Sequence, residues 1–189
     1  MSAHLPIAFR KMNGLGNDFV VIDARERPVS ISDAQAKAIA DRKSGIGCDQ
    51  LIVMEKSSLA DVKMRIWNAE GGEVESCGNA SRCIADIVMD ENGSDSATID
   101  TKGGFLVGSR AGKLQVTIDM GKPRFDWDQI PLSEKFADTR HIELQVGPID
   151  APLMHSPSVV NVGNPHCIFW VKDLDMVNLG RVGPMLENH

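Results

Sequence analysis

Short alternating or continuous apolar runs dominate the first two thirds of the chain, interrupted by two segments whose apolar positions recur at helical spacing. Ile7–Lys11 and Phe19–Asp23 read as strands on either side of a stretch rich in Gly and Asn. Ser30 or Ser32 can cap a helix over about Asp33–Lys43, with Ala34, Ala38 and Ile39 facing inward and Gly45 as its stop. Leu51–Glu55 and Val62–Trp67 follow as strands. In the second, Val62, Met64 and Ile66 alternate with Lys63, Arg65 and Trp67, the pattern of a half-buried strand. Asn68–Gly72 is a turn by composition, and Glu73–Ser76 a brief strand. From Cys77 to about Met89, apolar residues fall at Ala80, Cys83, Ile84, Ile87 and Val88, and Ala85 and Met89 widen the stripe. A helix this apolar belongs at the centre of a core. Ala97–Thr101, Phe105–Ser109 and Leu114–Met120 complete the pattern, with Lys102–Gly104 and Arg110–Gly112 as joins of hairpin length. The expected fold class is therefore α/β of the α+β type, with this half of the chain mostly antiparallel sheet wrapped on one helix.

Beyond Gly121 the pattern loses its period. Lys122–Pro131 is an irregular crossing with two prolines, which divides the chain into domains at 1–121 and 122–189. His141–Val146, Ser158–Val162 and Cys167–Val171 are again strand-like. No helix to match the one at Cys77 follows them, so the second lobe reads as incomplete.

Composition narrows the function classes. With 42 % hydrophobic and 24 % charged residues, the 189-residue chain is neither collagen-like, disordered nor a disulfide scaffold. Its net charge is −6 and it has no basic stripe, which argues against a nucleic-acid partner. The longest apolar runs are four residues, far short of the roughly 20 a membrane span needs. The N-terminal residues contain no secretory leader pattern, so the expected compartment is the cytoplasm and the four cysteines are expected as thiols.

The candidate chemistry concentrates at Ser76-Cys77-Gly78-Asn79. With Ser76 as N-cap, Cys77, Gly78 and Asn79 form a first turn whose N–H groups have no intrahelical acceptor. Those donors favour an anion, either a thiolate or a bound carboxylate. The alternative is a small hydrophobe at a helix start. Cys83 lies on the apolar stripe as core packing, and Cys77-x5-Cys83 is not a zinc spacing, so no metal is expected. Met12–Asp18 is either a tight turn or a ligand-contact loop; it lacks the third glycine of a dinucleotide fingerprint. Gly163-Asn-Pro-His166 places an amide beside an imidazole that can tune a neighbouring thiol.

Five strings in order resemble the diaminopimelate epimerase family. They are Lys11-Met-Asn-Gly-Leu-Gly-Asn-Asp-Phe-Val-Val-Ile-Asp23, Gly45-Ile-Gly-Cys-Asp-Gln50, Arg65-Ile-Trp-Asn-Ala-Glu-Gly71, Glu73-Val-Glu-Ser-Cys-Gly-Asn-Ala-Ser-Arg-Cys83 and Gly163-Asn-Pro-His-Cys167. Leu179-Gly-Arg-Val-Gly-Pro184 fits the continuation, while Ala80-Ser81 stand where a Gly-Ala pair is common. The resemblance implies two pseudo-repeated lobes, each a mixed sheet curled around a central helix. It also implies a cofactor-free inversion of LL- to meso-diaminopimelate by two cysteines, serving lysine and peptidoglycan synthesis. Cys77 would be the catalytic cysteine of the first lobe and His166 would help set thiol protonation. Gly78 and Asn79 would hold the α-carboxylate, and Asn17, Gln50, Asn68 and Asn164 the other polar groups. Full-length relatives often pair as homodimers. The family's second catalytic cysteine, in a Cys-Gly-x-Gly string, is not among these residues, so the chain reads as an N-terminal part that is inactive alone. A proline-racemase-like enzyme and a non-catalytic binding fragment are the competing readings.

Overall fold

Between Arg10 and Asp23 the chain doubles back on itself through Leu15 and Gly16, which both take left-handed angles (φ 51° and 93°). This is the two-residue hairpin geometry that matches strand twist, and glycine takes the second position without strain. The hairpin is seen in a computed structural model that describes residues 6–187 and 189. The chain divides between Gly121 and Lys122 into two units.

The first unit runs β1 (Arg10–Gly14), β2 (Asn17–Asp23), α1 (Asp33–Ala40), β3 (Gln50–Glu55), β4 (Val62–Asn68), β5 (Glu73–Val74), α2 (Gly78–Asn92), β6 (Ser96–Thr101), β7 (Gly104–Gly112) and β8 (Gln115–Asp119). The strands form one sheet in the order β1-β2-β3-β4-β6-β7-β8, with β5 alongside β4. The β2/β3 and β4/β6 pairs are parallel and the rest antiparallel. Helix α2 touches both β1 and β8, the two ends of that order, so the sheet curls around it. Its buried face (Ala80, Cys83, Ile84, Ala85, Ile87, Val88, Met89) meets Phe19, Val21, Ile52, Met54, Val62, Met64, Ile66, Ala97, Ile99 and Leu106. The opposite face of the sheet buries Val20, Ile22, Leu51, Val53 and Trp67 against Ala36 and Ala40 of α1. The two-residue period of a strand is what splits these residues between two cores. The mixed, largely antiparallel sheet around a central helix is the fold class expected.

Several boundaries differ from those read in the sequence. Strand β1 covers Arg10–Gly14 rather than Ile7–Lys11, because pairing with β2 starts at Arg10 opposite Val21 and continues to the Leu15–Gly16 turn. Helix α1 carries a capping box between Ser32 and Gln35 but ends at Ala40. There Asp41 leaves the helical region, and its carboxylate accepts the N–H groups of Lys43 and Ser44. Its inward residues are Ala36 and Ala40, with Ile39 half-buried; Ala34 and Ala38 are exposed. Helix α2 runs three residues past Met89 to a left-handed Gly93 cap. The last hairpin turns at Lys113–Leu114, since β7 continues through Arg110–Gly112 with a bulge.

The second unit contains β9 (Gln145–Val146), β10 (Met154–His155), β11 (Ser158–Asn161), β12 (Pro165–Ile168), a 3-10 turn at Leu174–Met176 and α3 (Leu179–Glu187). The strands pair as two antiparallel ribbons, β9/β10 and β11/β12. Ile130, Ile142 and Val159 form a small core. The strand expected over His141–Val146 shrinks to its last two residues, and the one expected over Cys167–Val171 moves to Pro165–Ile168. Helix α3, which the sequence reading leaves out, contains Gly180, Gly183 and Pro184 and buries only Val182. Among the described residues no helix is long and apolar enough to cross a membrane.

Candidate active site

Helix α2 is capped by Cys77 rather than Ser76. Cys77 has extended backbone angles (φ −148°, ψ 108°), and its Sγ accepts the Ala80 N–H at 3.5 Å. The sulfur thus fills the role a serine or aspartate oxygen has at most helix starts. Ser76 is buried one residue earlier and its hydroxyl has no hydrogen-bond partner among the described residues. The first turn is consequently Gly78, Asn79 and Ala80, and the Gly78 and Asn79 N–H groups lie beside a half-buried thiol. Cys83, six residues on, is buried, and burial pushes its thiol up to about 11. Cys48 is likewise buried and shifted upward by desolvation. All four cysteines are free.

Three strands place amides on the α2 side of the sheet, and one of these, Asn17, reaches the start of α2. In register, Phe19 of β2 lies beside Gln50 of β3, which lies beside Asn68 of β4. Phe19, Ile52 and Ile66 face α2, whereas Val20, Leu51 and Trp67 face away. The period of two therefore puts Asn17, Gln50 and Asn68 on the α2 side of the sheet. Gln50 Nε2 donates to Asn68 Oδ1 at 3.1 Å, and Asn79 Nδ2 donates to Asn17 Oδ1 at 2.8 Å. The second bond ties the hairpin directly to the first turn of α2. The Met12–Asp18 segment is thus both a turn and a contact with the helix start.

Charged residues that the sequence reading does not single out hold these amides. Asn17 Nδ2 donates to Asp49 Oδ2 (3.2 Å), and Arg82 donates to Asn79 Oδ1 (2.6 Å). Asp18 and Asp49 each accept the other's backbone N–H, at 3.1 and 3.0 Å, and Arg42 bridges both carboxylates at 2.7 Å. Lys11 adds a bond to Asp18 and one to the Gly47 carbonyl. Arg42 and Lys11 hold the Asp18 carboxyl well below the usual carboxylate range. The Asp18 N–H, Asn17 and Arg42 also lower Asp49. The sequence signal for this cluster is an acidic residue next to an amide in both Asn17-Asp18 and Asp49-Gln50.

In the second unit, Asn164 and His166 sit at the turn from β11 into β12. Both are exposed, with His166 Nε2 and Asn164 Oδ1 3.1 Å apart. Cys167 follows on the exposed strand β12. The first unit therefore brings together Cys77, Gly78, Asn79 and Asn17, with Gln50 and Asn68 on the same side of the sheet. Asn164 and His166 meet each other.

Residues 9–126 match the family model for diaminopimelate epimerase. Diaminopimelate epimerases of Afipia carboxidovorans and Rhizorhabdus wittichii are 48 % and 49 % identical to this chain over 185 and 184 residues, 96 % and 97 % of its length. In both comparisons the chain spans 63 % of the relative. Among solved structures, a hydroxyproline epimerase from Agrobacterium vitis superposes with a TM-score of 0.59 at 11 % identity, covering 89 % of this chain and 52 % of that one. A predicted epimerase from Pseudomonas aeruginosa gives 0.58 at 18 % identity, covering 96 % and 67 %. At such identities the likeness concerns the fold.

Proposed function

This chain belongs to the diaminopimelate epimerase family, and we propose from that premise that Cys77 is an acid/base in the cofactor-independent interconversion of LL- and meso-diaminopimelate. As thiolate, Cys77 takes the α-proton and becomes the thiol, leaving the electron pair on the α-carbon and its carboxylate. The N–H groups at the start of α2, from Gly78 and Asn79, bind that carboxylate and stabilise the charge that develops on it. A second thiol returns a proton to the opposite face, so configuration inverts and the proton count balances. A thiol/thiolate pair suits such a reaction near neutral pH because modest environmental changes bring either form within reach. Asn17, Gln50 and Asn68 orient the substrate's polar groups without adding net charge. For Asn164 and His166 the proposal is carried by the family string Gly163–Cys167 alone.

The observation that best supports this reading is the position of Cys77 Sγ at the mouth of α2, at hydrogen-bond distance from a helix N–H and two residues from the Asn79–Asn17 contact. Its test is alkylation of the native chain by iodoacetamide, read peptide by peptide. Cys77 is expected to react ahead of buried Cys48 and Cys83. LL-diaminopimelate is expected to slow the Cys77 reaction while L-proline does not. Equal Cys77 rates with and without saturating diaminopimelate would overturn the assignment, and protection by L-proline alone would move the substrate class.

A further inference from the structure

Arg82, Asn79, Asn17 and Asp49 form one continuous line of hydrogen bonds, from the Arg82 guanidinium to Asn79 Oδ1 (2.6 Å), Asn79 Nδ2 to Asn17 Oδ1 (2.8 Å), and Asn17 Nδ2 to Asp49 Oδ2 (3.2 Å). The oxygen and nitrogen of an amide have nearly the same shape, so either asparagine taken alone fits its place in two orientations. The ends of the line differ in kind. A guanidinium only donates and an ionised carboxylate only accepts. Turning both amides over would set the Asn79 NH2 against Arg82 and the Asn17 oxygen against Asp49, a mismatch at each end.

We infer that Asp49 and Arg82 are positioning residues that fix the direction of this relay and hence which atoms Asn17 and Asn79 present at the mouth of α2. The inference rests on the proposed function only for the ligand it serves. With the direction set, each amide spends one N–H inside the relay and keeps its second N–H outside it. An oxyanion such as an α-carboxylate requires donors of that kind. Asp49 is itself anchored, through the reciprocal backbone bonds with Asp18 and through Arg42. Control from two ends has a specific consequence. Either end alone still opposes reversal, so Asp49→Asn or Arg82→Gln keeps one orientation. Only the double variant makes the two orientations comparable in energy, because Asn and Gln can both donate and accept.

The experiment follows the side-chain NH2 signals of Asn17 and Asn79 by NMR in the 15N-labelled 189-residue chain, with backbone amides of the central strands and thermal unfolding as checks on the fold. In the single variants these signals are expected to stay those of a held amide. In D49N/R82Q they collapse toward the values of a freely turning one. In D49N/R82K, where a donor-only cation returns, they recover. The dissociation constant for LL-diaminopimelate rises in the double variant in inverse proportion to the correctly oriented fraction, about two- to fourfold. It stays near wild type in each single variant. As a control, Arg65→Gln, whose partners Glu55 and Glu73 lie outside the relay, lowers the unfolding temperature without moving the two amides. Strictly additive changes, or an R65Q variant that reproduces the double, would overturn the inference, since independent structural contributions add. A wild-type chain that does not bind diaminopimelate at all would count against the proposed function, while the amide signals would still decide the relay.

Discussion

At Gly78 an added Cβ would meet only Met120, 3.5 Å from its Sδ and 4.0 Å from its methyl, and the backbone there is not left-handed. Neither packing nor conformation within the first unit thus requires glycine. Under the proposed function, close approach of a ligand to the helix N–H groups would require it. Gly78→Ala is accordingly expected to change stability by less than about 1 kcal/mol while abolishing protection of Cys77 by diaminopimelate. Thermal unfolding and alkylation rates measured on the same sample check it, and persistent protection would mean that the first turn is not approached. At this scale the sequence locates the helix start to within one residue. Serine is the better N-cap by propensity, yet Cys77 takes the position. Glu75 is held by a backbone bond from Gly103, and Ser76 turns into the interior. The role of Asp49 is not readable from spacing, because its partner Asn17 lies 32 residues away and only tertiary structure brings them together. Arg82 and Asn79, by contrast, are neighbours three residues apart on one helix.

Among the elements, α2 and β7 come into close contact at Gly108. A Cβ built there would lie 2.5 Å from Ala85 Cβ and 3.3 Å from a methyl of Ile118. Gly108→Ala is expected to destabilise the chain by about 1–3 kcal/mol through overpacking. Ala85→Gly in the same chain should recover part of that loss beyond additivity, as urea unfolding of the four members of the cycle will show. The apolar stripe of α2 and the alternation in β4 are legible without a structure because each repeats over two or more periods. Helix α1 is legible in its capping and illegible in its face, since its alanines at 34, 36, 38 and 40 offer no contrast from which to choose. Helix α3 shows the opposite failure. Gly180, Gly183 and Pro184 argue against a helix locally, and Pro184 lies inside one all the same.

For the molecule as a whole, the four cysteines set what a polypeptide of these 189 residues can do. Cys48 and Cys83 are buried with raised pKa values, and Cys167 belongs to the string that contains His166. None lies in a Cys-Gly-x-Gly string. A chain of these residues alone is therefore expected to bind LL-diaminopimelate and to form no meso product, assayed by chiral separation after prolonged incubation. Turnover approaching that of a full-length relative would contradict the two-cysteine proposal. The strand order is the feature of this scale furthest from the sequence. Parallel β2/β3 and β4/β6 pairs cross over long connections, and no local pattern announces which strands will become neighbours.

The sequence by itself determined that a buried helix begins at the Cys77–Asn79 segment, that short strands surround it, and that five ordered strings place the chain in its family. Periodicity and capping act over a few residues, so they survive in the linear record. Only the tertiary structure decided that the sheet curls until β1 and β8 both reach α2, that Cys77 rather than Ser76 caps that helix, and that Asn17 meets Asn79 across 62 residues of chain. Those outcomes follow from how two faces of one sheet divide their side chains between two helices, a matter of burial and register that no single segment encodes.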